Sequence, residues 1–343
     1  MKKVFCLTAV CVFAAQSVLA WDYEGHRLVN QLALASLPKD FPPFALTPES
    51  QERITFLAGE PDRWRNTQNL ELRHANGPDH YLDLEELAWY DLKPETVPPF
   101  RYDFMAQVAR SRAAHPDRFP PIDPNGDTDH TRELSGFLPW TMTEYYAKLK
   151  SEFSYLRAFQ EAGGNPDEIA NAQANIVYTM GVMAHFYGDA GQPLHTTIHF
   201  NGWVGDNPHH YTTNHGFHGW IDGGYIAKVN IGGDLPEMKK QIHSAQLATL
   251  NGQPAQPTQI FPAVVAFLID QNKLVEPLYK MEHDHMLTGT NEVGMQGKPF
   301  IEGQLVKSGQ LLGNIWYSAW RQAPVDEYLE RDLRRRSESA PVK

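Results

Sequence analysis

Residues 172–195 read AQANIVYTMGVMAHFYGDAGQPLH, and this stretch contains a strong helical pattern. Its apolar side chains recur every three or four residues, the spacing of one helical face, and predict a helix over residues 172–190. The Gln192-Pro193 step ends that helix, because proline cannot continue the backbone hydrogen bonding. His185 and Asp189 lie four residues apart and project from one face of the helix, and His195 follows in the next loop. The stretch therefore joins a long apolar helix to a dense group of polar side chains.

Helical periodicity continues through the rest of the chain. Amphipathic patterns predict further helices over residues 26–36, 141–162, 260–281 and 302–322. Runs of alternating β-branched residues, which are typical of strands, are scarce. We therefore expect an all-α fold in which residues 21–325 form a single multi-helix domain.

Three segments depart from the helical pattern. Residues 93–136 are rich in Pro and Asp and are expected to form a long excursion, and residues 199–214 a polar loop. Residues 326–343 carry the run Arg334, Arg335 and Arg336, and we expect them to form a polar, disordered tail.

The first twenty residues have the pattern of a secretory signal peptide. Lys2 and Lys3 precede an apolar core, and Val18-Leu19-Ala20 supplies small or aliphatic residues at the cleavage site. The core is too short for a membrane-spanning helix of about 20 residues. We therefore predict cleavage between Ala20 and Trp21, export to the periplasm or the medium, and no stable membrane anchor.

Composition narrows the class of protein further. With 42% apolar and 21% charged residues, the chain is neither disordered nor a membrane bundle. The formal net charge of −11 argues against a broad basic nucleic-acid-binding face, although a local positive groove stays compatible with it. Both cysteines, Cys6 and Cys11, lie in the predicted leader, so a core or bound metal must stabilise the mature chain without disulfides.

Histidine and aspartate recur in a metal-binding pattern. A second His-x-x-x-Asp pair, His218 and Asp222, follows the first pair of His185 and Asp189, with His195 between them. A single pair at this spacing is most often a surface ion pair on a helix. Two pairs joined by a third histidine favour a metal site, because imidazole and carboxylate together suit Zn²⁺.

The segment His185-Phe-Tyr-Gly-Asp189-Ala-Gly-Gln192-Pro193-Leu194-His195 resembles the signature of the zinc-dependent S1/P1 nuclease and bacterial phospholipase C superfamily. The start of the predicted mature chain, Trp21-Asp-Tyr-Glu-Gly-His26, is similar to the Trp-x-x-x-Gly-His opening of the nuclease branch. Two weaker matches are Pro61-Asp62-Arg63-Trp64-Arg65 and His80-Tyr81-Leu82-Asp83. The matches span residues 21–222 in the family's order.

The resemblance implies a fold built around a trinuclear zinc cluster. It also implies that water between two zinc ions is acidified toward hydroxide and attacks a phosphodiester. Asp62 would orient or deprotonate that water, and Asp189 would bridge two ions. The implied ligands are Asp62, His80, His185 and Asp189 for one zinc; the Trp21 amine and carbonyl, His26 and the shared Asp189 for a second; and His195, His218 and Asp222 for the third.

Three functions stay open at this point. The first is a secreted endonuclease acting on single-stranded DNA, RNA or nucleotides. The aromatic residues that could stack a base are Tyr81, Trp140, Phe200, Trp203 and Phe217. The second is a phospholipase C acting on phosphatidylcholine-like head groups. The third is a non-catalytic zinc-binding protein. The chain lacks the Gly-Gly-Asn loop usual in the nucleases, and Gly216-Phe217-His218 is more similar to the phospholipase branch. No protein partner is inferred.

Overall fold

The computed structural model describes residues 21–339, and their architecture is helical. The predicted signal peptide, residues 1–20, lies outside the described residues. The only strands in the described part of the chain are the two-residue antiparallel pair β1 (Thr249–Leu250) and β2 (Gln253–Pro254). The α-helices are α1 Tyr23–Ser36, α2 Pro48–Leu57, α3 Glu60–Arg65, α4 Leu70–Asn76, α5 Arg101–Ala114, α6 Leu138–Ala162, α7 Pro166–Ala190, α8 Phe217–Gly219, α9 Tyr225–Lys228, α10 Leu235–Lys240, α11 Ile260–Asn272, α12 Val275–His283, α13 Lys298–Arg321 and α14 Glu327–Ser339.

Short tight turns connect these helices. One turn of π-helix, Trp220–Gly224, lies between α8 and α9. The 3₁₀ segments are Pro43–Leu46, Gly77–His80, Leu84–Tyr90, Pro94–Thr96, Pro116–Arg118, Pro193–Thr196, Ile231–Asp234, Pro257–Gln259 and Val293–Met295.

The α6–α7 hairpin is the centre of the fold. Gly163 ends α6 with a left-handed backbone at φ 97°, which glycine adopts without a steric penalty. Asn165 then caps α7: its side chain accepts from the Glu168 amide, and the Glu168 carboxylate accepts from the Asn165 amide. These signals place two 25-residue helices side by side.

Small residues let α1 and α13 approach closely on one side of the hairpin. A Cβ at Gly309 would lie 2.5 Å from the Leu32 Cβ. At Gly313 the added atom would collide with the Ser36 hydroxyl. One contiguous cluster of buried apolar side chains extends from Trp21 to Ala323 and holds α1, α6, α7, α11 and α13 together.

The structure confirms the all-α class and moves several boundaries. The helix predicted over 260–281 is interrupted at Lys273-Leu274 and forms α11 and α12. The helices predicted from 26 and 141 begin at Tyr23 and Leu138, where Asp22 caps the first and Pro139 occupies the first turn of the second. The excursion of residues 93–136 contains the 14-residue helix α5.

The prediction of a disordered tail over 326–343 is wrong for its described part. Residues Glu327–Ser339 form α14, whose Leu333 is buried against Ala158 and Ala162 of α6. Arg336 also forms an ion pair with Glu168 at 2.6 Å. A small apolar cluster around Leu333 and the contacts of Arg336 therefore help to hold a helix that is otherwise highly charged. No helix among residues 21–339 has the length and hydropathy needed to cross a bilayer.

Candidate metal centre

The C-terminal half of α7 presents two of the predicted ligands to the interior. Every residue from 179 to 197 is buried, and His185 and Asp189 lie one turn apart on the same face. His185 Nδ1 is 2.7 Å from the Ala58 carbonyl oxygen, so the ring is oriented with Nε2 toward Asp189. A hydrogen bond of this kind on the far nitrogen is how proteins fix a metal-binding imidazole.

Asp189 belongs to one potential metal-binding group and also contacts a second group. Its Oδ1 is 3.5 Å from His26 Nε2, and its Oδ2 is 3.3 Å from His185 Nε2. The Oδ2 atom is also 3.0 Å from His80 Nδ1. The two groups are His26, His185 and Asp189, and Asp62, His80 and His185.

A third group lies between the end of α7 and the π-helical turn. His195 Nε2 is 3.1 Å from His218 Nε2, which is 2.7 Å from Asp222 Oδ2. His195 Nδ1 is 2.6 Å from the His80 carbonyl oxygen, which links this group to the others. The π-turn starts two residues after His218 and includes Asp222, and such turns are frequent at functional sites.

The buried polar atoms of these groups fit a metal better than they fit one another. Of the eleven buried side-chain polar atoms in residues 21–339 that have no hydrogen-bond partner, six belong to these ligands. The close approach of His218 Nε2 to Asp222 Oδ2 lacks hydrogen-bond alignment. Buried polar groups normally find partners, and a bound cation would supply the partner that these atoms lack. The six atoms are His26 Nδ1 and Nε2, His80 Nε2, Asp189 Oδ1, His218 Nδ1 and Asp222 Oδ2.

The interatomic distances also suit a bound cation. Tetrahedral zinc with nitrogen or oxygen ligands at its usual bond lengths places those ligand atoms about 3.3 Å apart. The contacts among the three groups run from 2.7 to 3.7 Å. His and Asp donors of this kind suit zinc and other divalent metals of similar ligand preference.

Burial sets the protonation states of the ligands. Loss of hydration lowers the pKa of His26, His80 and His218 to about 3. These imidazoles are therefore neutral at pH 7, which is the form that binds metal. Burial opposes ionisation of Asp189, but the neighbouring His185 and His195 hold its pKa well below the ordinary value.

The pKa of Asp222 shifts in the opposite direction to the pKa of Asp189. Burial raises its pKa well above the ordinary value, against the weaker effect of His195 and a hydrogen bond from Gln192. A nearby divalent cation would favour the carboxylate and reverse that shift. The third group is thus the one whose charge state depends most on metal.

The structure brings eight of the nine predicted ligand residues into the three groups, with two changes of partnership: His185, not Asp189, is common to two groups, and Asp189 falls only in the group of His26. The third group has the predicted members His195, His218 and Asp222. His185 was expected to share a metal with Asp62 and His80, and it also lies in the His26 group, where the two rings stack at 3.8 Å.

The side chain of Trp21 lies beside the candidate metal centre. The indole is fully buried and donates a 2.8 Å hydrogen bond to the Gly188 carbonyl, one residue before Asp189. The next amide, that of Asp22, donates to the Asp222 carbonyl at 3.0 Å. The start of the described chain is therefore tied to two of the groups, while the Trp21 amine and carbonyl as ligands stay a prediction.

Arg65 is a site residue that the motif search did not single out. Its Nε donates to Asp62 Oδ1 at 2.7 Å from one turn further along α3. Burial favours the neutral acid, but Arg65 and the nearby His185 outweigh it and lower the pKa of Asp62. The i,i+3 spacing in Pro61-Asp62-Arg63-Trp64-Arg65 was the signal that could have identified the pair.

A cavity of about 420 Å³ adjoins the third group. His195, His218 and Arg65 are in its wall, and it connects the buried ligands to solvent. Two of the aromatic residues that could stack a base, Tyr81 and Phe200, also line the cavity. The other three candidates serve the core: Trp140 and Phe217 are buried, and Trp203 packs on the core cluster.

Charged side chains of both signs line the rest of the cavity. Arg73 and Arg132 are on its wall together with Asp83, Glu86 and Asp129. Burial raises the pKa of Asp83 well above its ordinary value, and that of Glu86 also rises. The cavity can therefore offer both hydrogen-bonding carboxyl groups and guanidinium groups to one ligand.

Comparison with known proteins adds no relative to this description. No protein-family model matches the chain, and no curated protein has significant sequence similarity to it. What stands is a helical protein with three buried His/Asp groups able to bind metal, an arrangement compatible with a zinc hydrolase.

Proposed function

We propose that this protein is an exported zinc-dependent phosphodiester hydrolase of the S1/P1 nuclease type that cleaves single-stranded DNA or RNA. The observation that carries the proposal is the presence of three buried His/Asp groups linked by close contacts, beside a cavity lined by arginines and aromatic residues. A closed structural metal site would need no such cavity.

The proposed zinc ligands are the members of the three groups. Asp189 would be shared, because its two oxygens face different histidines, His26 on one side and His80 and His185 on the other. Bound zinc supplies a Lewis acid that activates water at neutral pH and neutralises charge on a phosphoryl group.

Asp62 and Arg65 would act on the reacting groups directly. Asp62 is buried and held ionised by Arg65, so its carboxylate can orient a water molecule and accept its proton. The Arg65 guanidinium also lines the cavity. There it can donate to the phosphate oxygens, whose charge increases as the bond to the leaving oxygen breaks.

The cavity supports a nucleotide as the substrate. Tyr81 and Phe200 provide aromatic faces on which a base can stack, and Asp83 and Glu86 can hydrogen-bond to its polar edge. One feature also favours the alternative, a phospholipase C: carboxylates beside the Tyr81 ring are what a choline cation prefers. Arg132, which lies on the same wall and has no ion-pair partner among residues 21–339, opposes a cationic head group.

Export and cleavage before Trp21 belong to the same proposal. The burial of Trp21 and its hydrogen bond to Gly188 support a position of this residue beside the proposed zinc ligands. N-terminal sequencing of protein recovered from the periplasm or medium tests the processing directly. A mature protein that starts at a residue other than Trp21 would contradict the amine ligand.

A side-by-side assay tests the function. The metal-loaded mature protein is incubated with heat-denatured DNA, with RNA and with phosphatidylcholine in mixed micelles, and Asp189→Asn serves as the control for contaminating enzymes. We expect the wild type to cut the nucleic acids and the variant to be inactive. Release of phosphocholine alone would support the phospholipase, and no turnover of any substrate by a protein with its full metal complement would support a non-catalytic role.

A further inference from the structure

The excursion of residues 93–136 forms part of the cavity wall. Asp129, Thr131 and Arg132 line the same cavity as the buried ligands His195 and His218. His195 is 2% exposed, whereas Arg132 is exposed. The cavity thus extends from the metal centre to an arginine at the solvent side, and residues far from the metal-binding motifs define that end.

The loop that carries Arg132 is fixed from two directions. Arg73 of α4 forms an ion pair with Asp129 at 2.6 Å, and His74 Nδ1 is 2.8 Å from the Asp129 carbonyl oxygen. Within the loop, Asp127 Oδ1 accepts from the amides of Thr131 and Arg132 at 2.9 and 3.1 Å. The backbone of Arg132 is therefore held in place before any ligand binds, which reduces the entropic cost of binding.

The three arginines of the cavity differ in their pairing. Arg65 donates to Asp62, and Arg73 is neutralised by Asp129. Among residues 21–339, the Arg132 guanidinium has no ion-pair or hydrogen-bond partner, its only hydrogen bond being that of the backbone amide. Arg132 is thus the cavity arginine whose complete planar set of donors is available to an external anion, whereas Arg65 shares its donors with Asp62.

We infer that Arg132 forms a second anion subsite, which binds a substrate phosphate other than the one that is hydrolysed. Guanidinium groups bind phosphate oxygens in a bidentate manner, and a cavity of about 420 Å³ has the size of a small-ligand site. The inference rests on the proposed function and narrows it: the substrate is a strand with neighbouring phosphates, and not a zwitterionic lipid.

Substrates that differ by one phosphate test the subsite. The dinucleotide TpT is compared with pTpT and TpTp, which carry an additional phosphate at the 5′ or 3′ end. The wild type should have a lower KM for one of the phosphorylated forms. Arg132→Ala should raise that KM about tenfold or more, the effect of losing a hydrogen bond to a charged group, while kcat and the KM for TpT stay within about twofold.

Two further variants separate binding from general loss of charge. Arg110→Ala removes the same charge from an exposed arginine of α5 that contacts Gln107 and lies outside the cavity wall, and it should behave as wild type. Arg132→Lys retains the charge and should recover part of the preference. An Arg132→Ala enzyme with the wild-type preference, or a wild type without any preference, would overturn the subsite.

A binding measurement distinguishes failure of the subsite from failure of the proposed function. Fluorescence anisotropy with a labelled single-stranded phosphorothioate decamer gives Kd at several salt concentrations. Loss of one phosphate contact in Arg132→Ala should reduce the slope of log Kd against log salt by about 0.7. An unchanged slope rejects the subsite even if no substrate is cleaved, and a changed slope supports it independently of turnover.

Discussion

The polar side chains in the N-terminal half of α7 (residues 166–178) and those in its C-terminal half (residues 179–190) have different surroundings. In the N-terminal half they lie at or near the surface, where Glu168 takes part in the Asn165–Glu168 cap and in an ion pair with Arg336. In the C-terminal half every residue is buried, and Asp189 keeps an oxygen without a hydrogen-bond partner. One helix thus uses polar groups for its own stability at one end and holds them available at the other.

The difference in pairing between the two halves of α7 favours metal binding at the buried C-terminal half. A buried polar atom without a partner lowers the stability of the fold by about 1–3 kcal/mol. Several such atoms close together therefore do not stabilise the fold by themselves. The cost is offset when a cation binds, because binding to the folded state alone stabilises it. Variants in the two halves should therefore differ in their effect on metal content as well as on stability.

The largest effect is expected from Asp189→Asn. Because the two carboxylate oxygens face His26 on one side and His80 and His185 on the other, the amide should disrupt two groups together. The metal content measured by elemental analysis should fall from three equivalents to about one. The activity should fall more than about 100-fold. The matched variant Asp222→Asn should lose only the metal of the third group. Retention of three equivalents by Asp189→Asn would contradict the shared carboxylate.

Substitution of two glycines on α7 is expected to give the next largest effect. The two variants allow loss of stability to be compared with loss of metal. A Cβ at Gly188 would lie 2.6 Å from His26 Nδ1, and one at Gly181 would lie 2.5 Å from the Leu57 Cβ. Both Gly188→Ala and Gly181→Ala should destabilise the fold by about 1–3 kcal/mol through overpacking. Only Gly188→Ala should also lower the metal content, because it displaces a ligand. Equal metal loss in both variants would mean that metal content reports overall stability alone.

The sequence predicted which side chains gather into metal-capable groups better than it predicted the contacts around them. The helical spacing of His185 and Asp189 and the Gln192-Pro193 stop determine where these side chains point, so the local pattern was sufficient to predict their proximity. Which residues share a metal depends on ring orientation, and the Ala58 carbonyl that orients His185 is 127 residues away in the chain. Arg132 was missed for the same reason, because its place in the cavity depends on contacts between distant segments.

The helices that were missed have weak apolar patterns. In α5 the buried residues are Phe104, Val108 and Ser111, too few to form a stripe over four turns. In α14 the contact with α6 depends on Leu333 within a charged segment. The break between α11 and α12 falls at Lys273-Leu274, where no Gly or Pro marks it. Tertiary contacts decide these cases, and local periodicity does not record them.

The boundary between the two halves of α7 supplies a pH-dependent prediction. Glu152 of α6 accepts a 2.7 Å hydrogen bond from the hydroxyl of Thr179, and its other oxygen is buried without a partner. Burial raises the pKa of Glu152 from 4.5 to about 7. Because the folded-state pKa is the higher one, the contribution of Glu152 to stability is fully present below pH 4.5 and is lost as the pH rises through 7.

Glu152→Gln should remove this dependence, because the amide keeps the acceptor for Thr179 and carries no charge. Relative to wild type, the variant should gain stability on the order of 1 kcal/mol between pH 5 and pH 8, an amount reduced by the partial exposure of the side chain. Urea unfolding of both proteins at each pH measures the difference. Glu161→Gln, at an exposed position of the same helix, is the control. A difference that does not change with pH would show that Glu152 is ionised at neutral pH in the folded protein.

The smallest effect is expected at the start of α7. Asn165→Ala removes the acceptor for the Glu168 amide at 2.9 Å and should cost about 1 kcal/mol, the usual value of a helix N-cap. Asn165→Asp keeps the cap and should cost little. The cap lies about 36 Å from Asp189 along the helix axis, a separation at which effects on stability are normally independent. Metal content and activity should therefore be unchanged in both variants. Loss of metal from the alanine variant would mean that fraying at the surface end reaches the buried end, so that α7 transmits strain along its length and its two halves act as one unit.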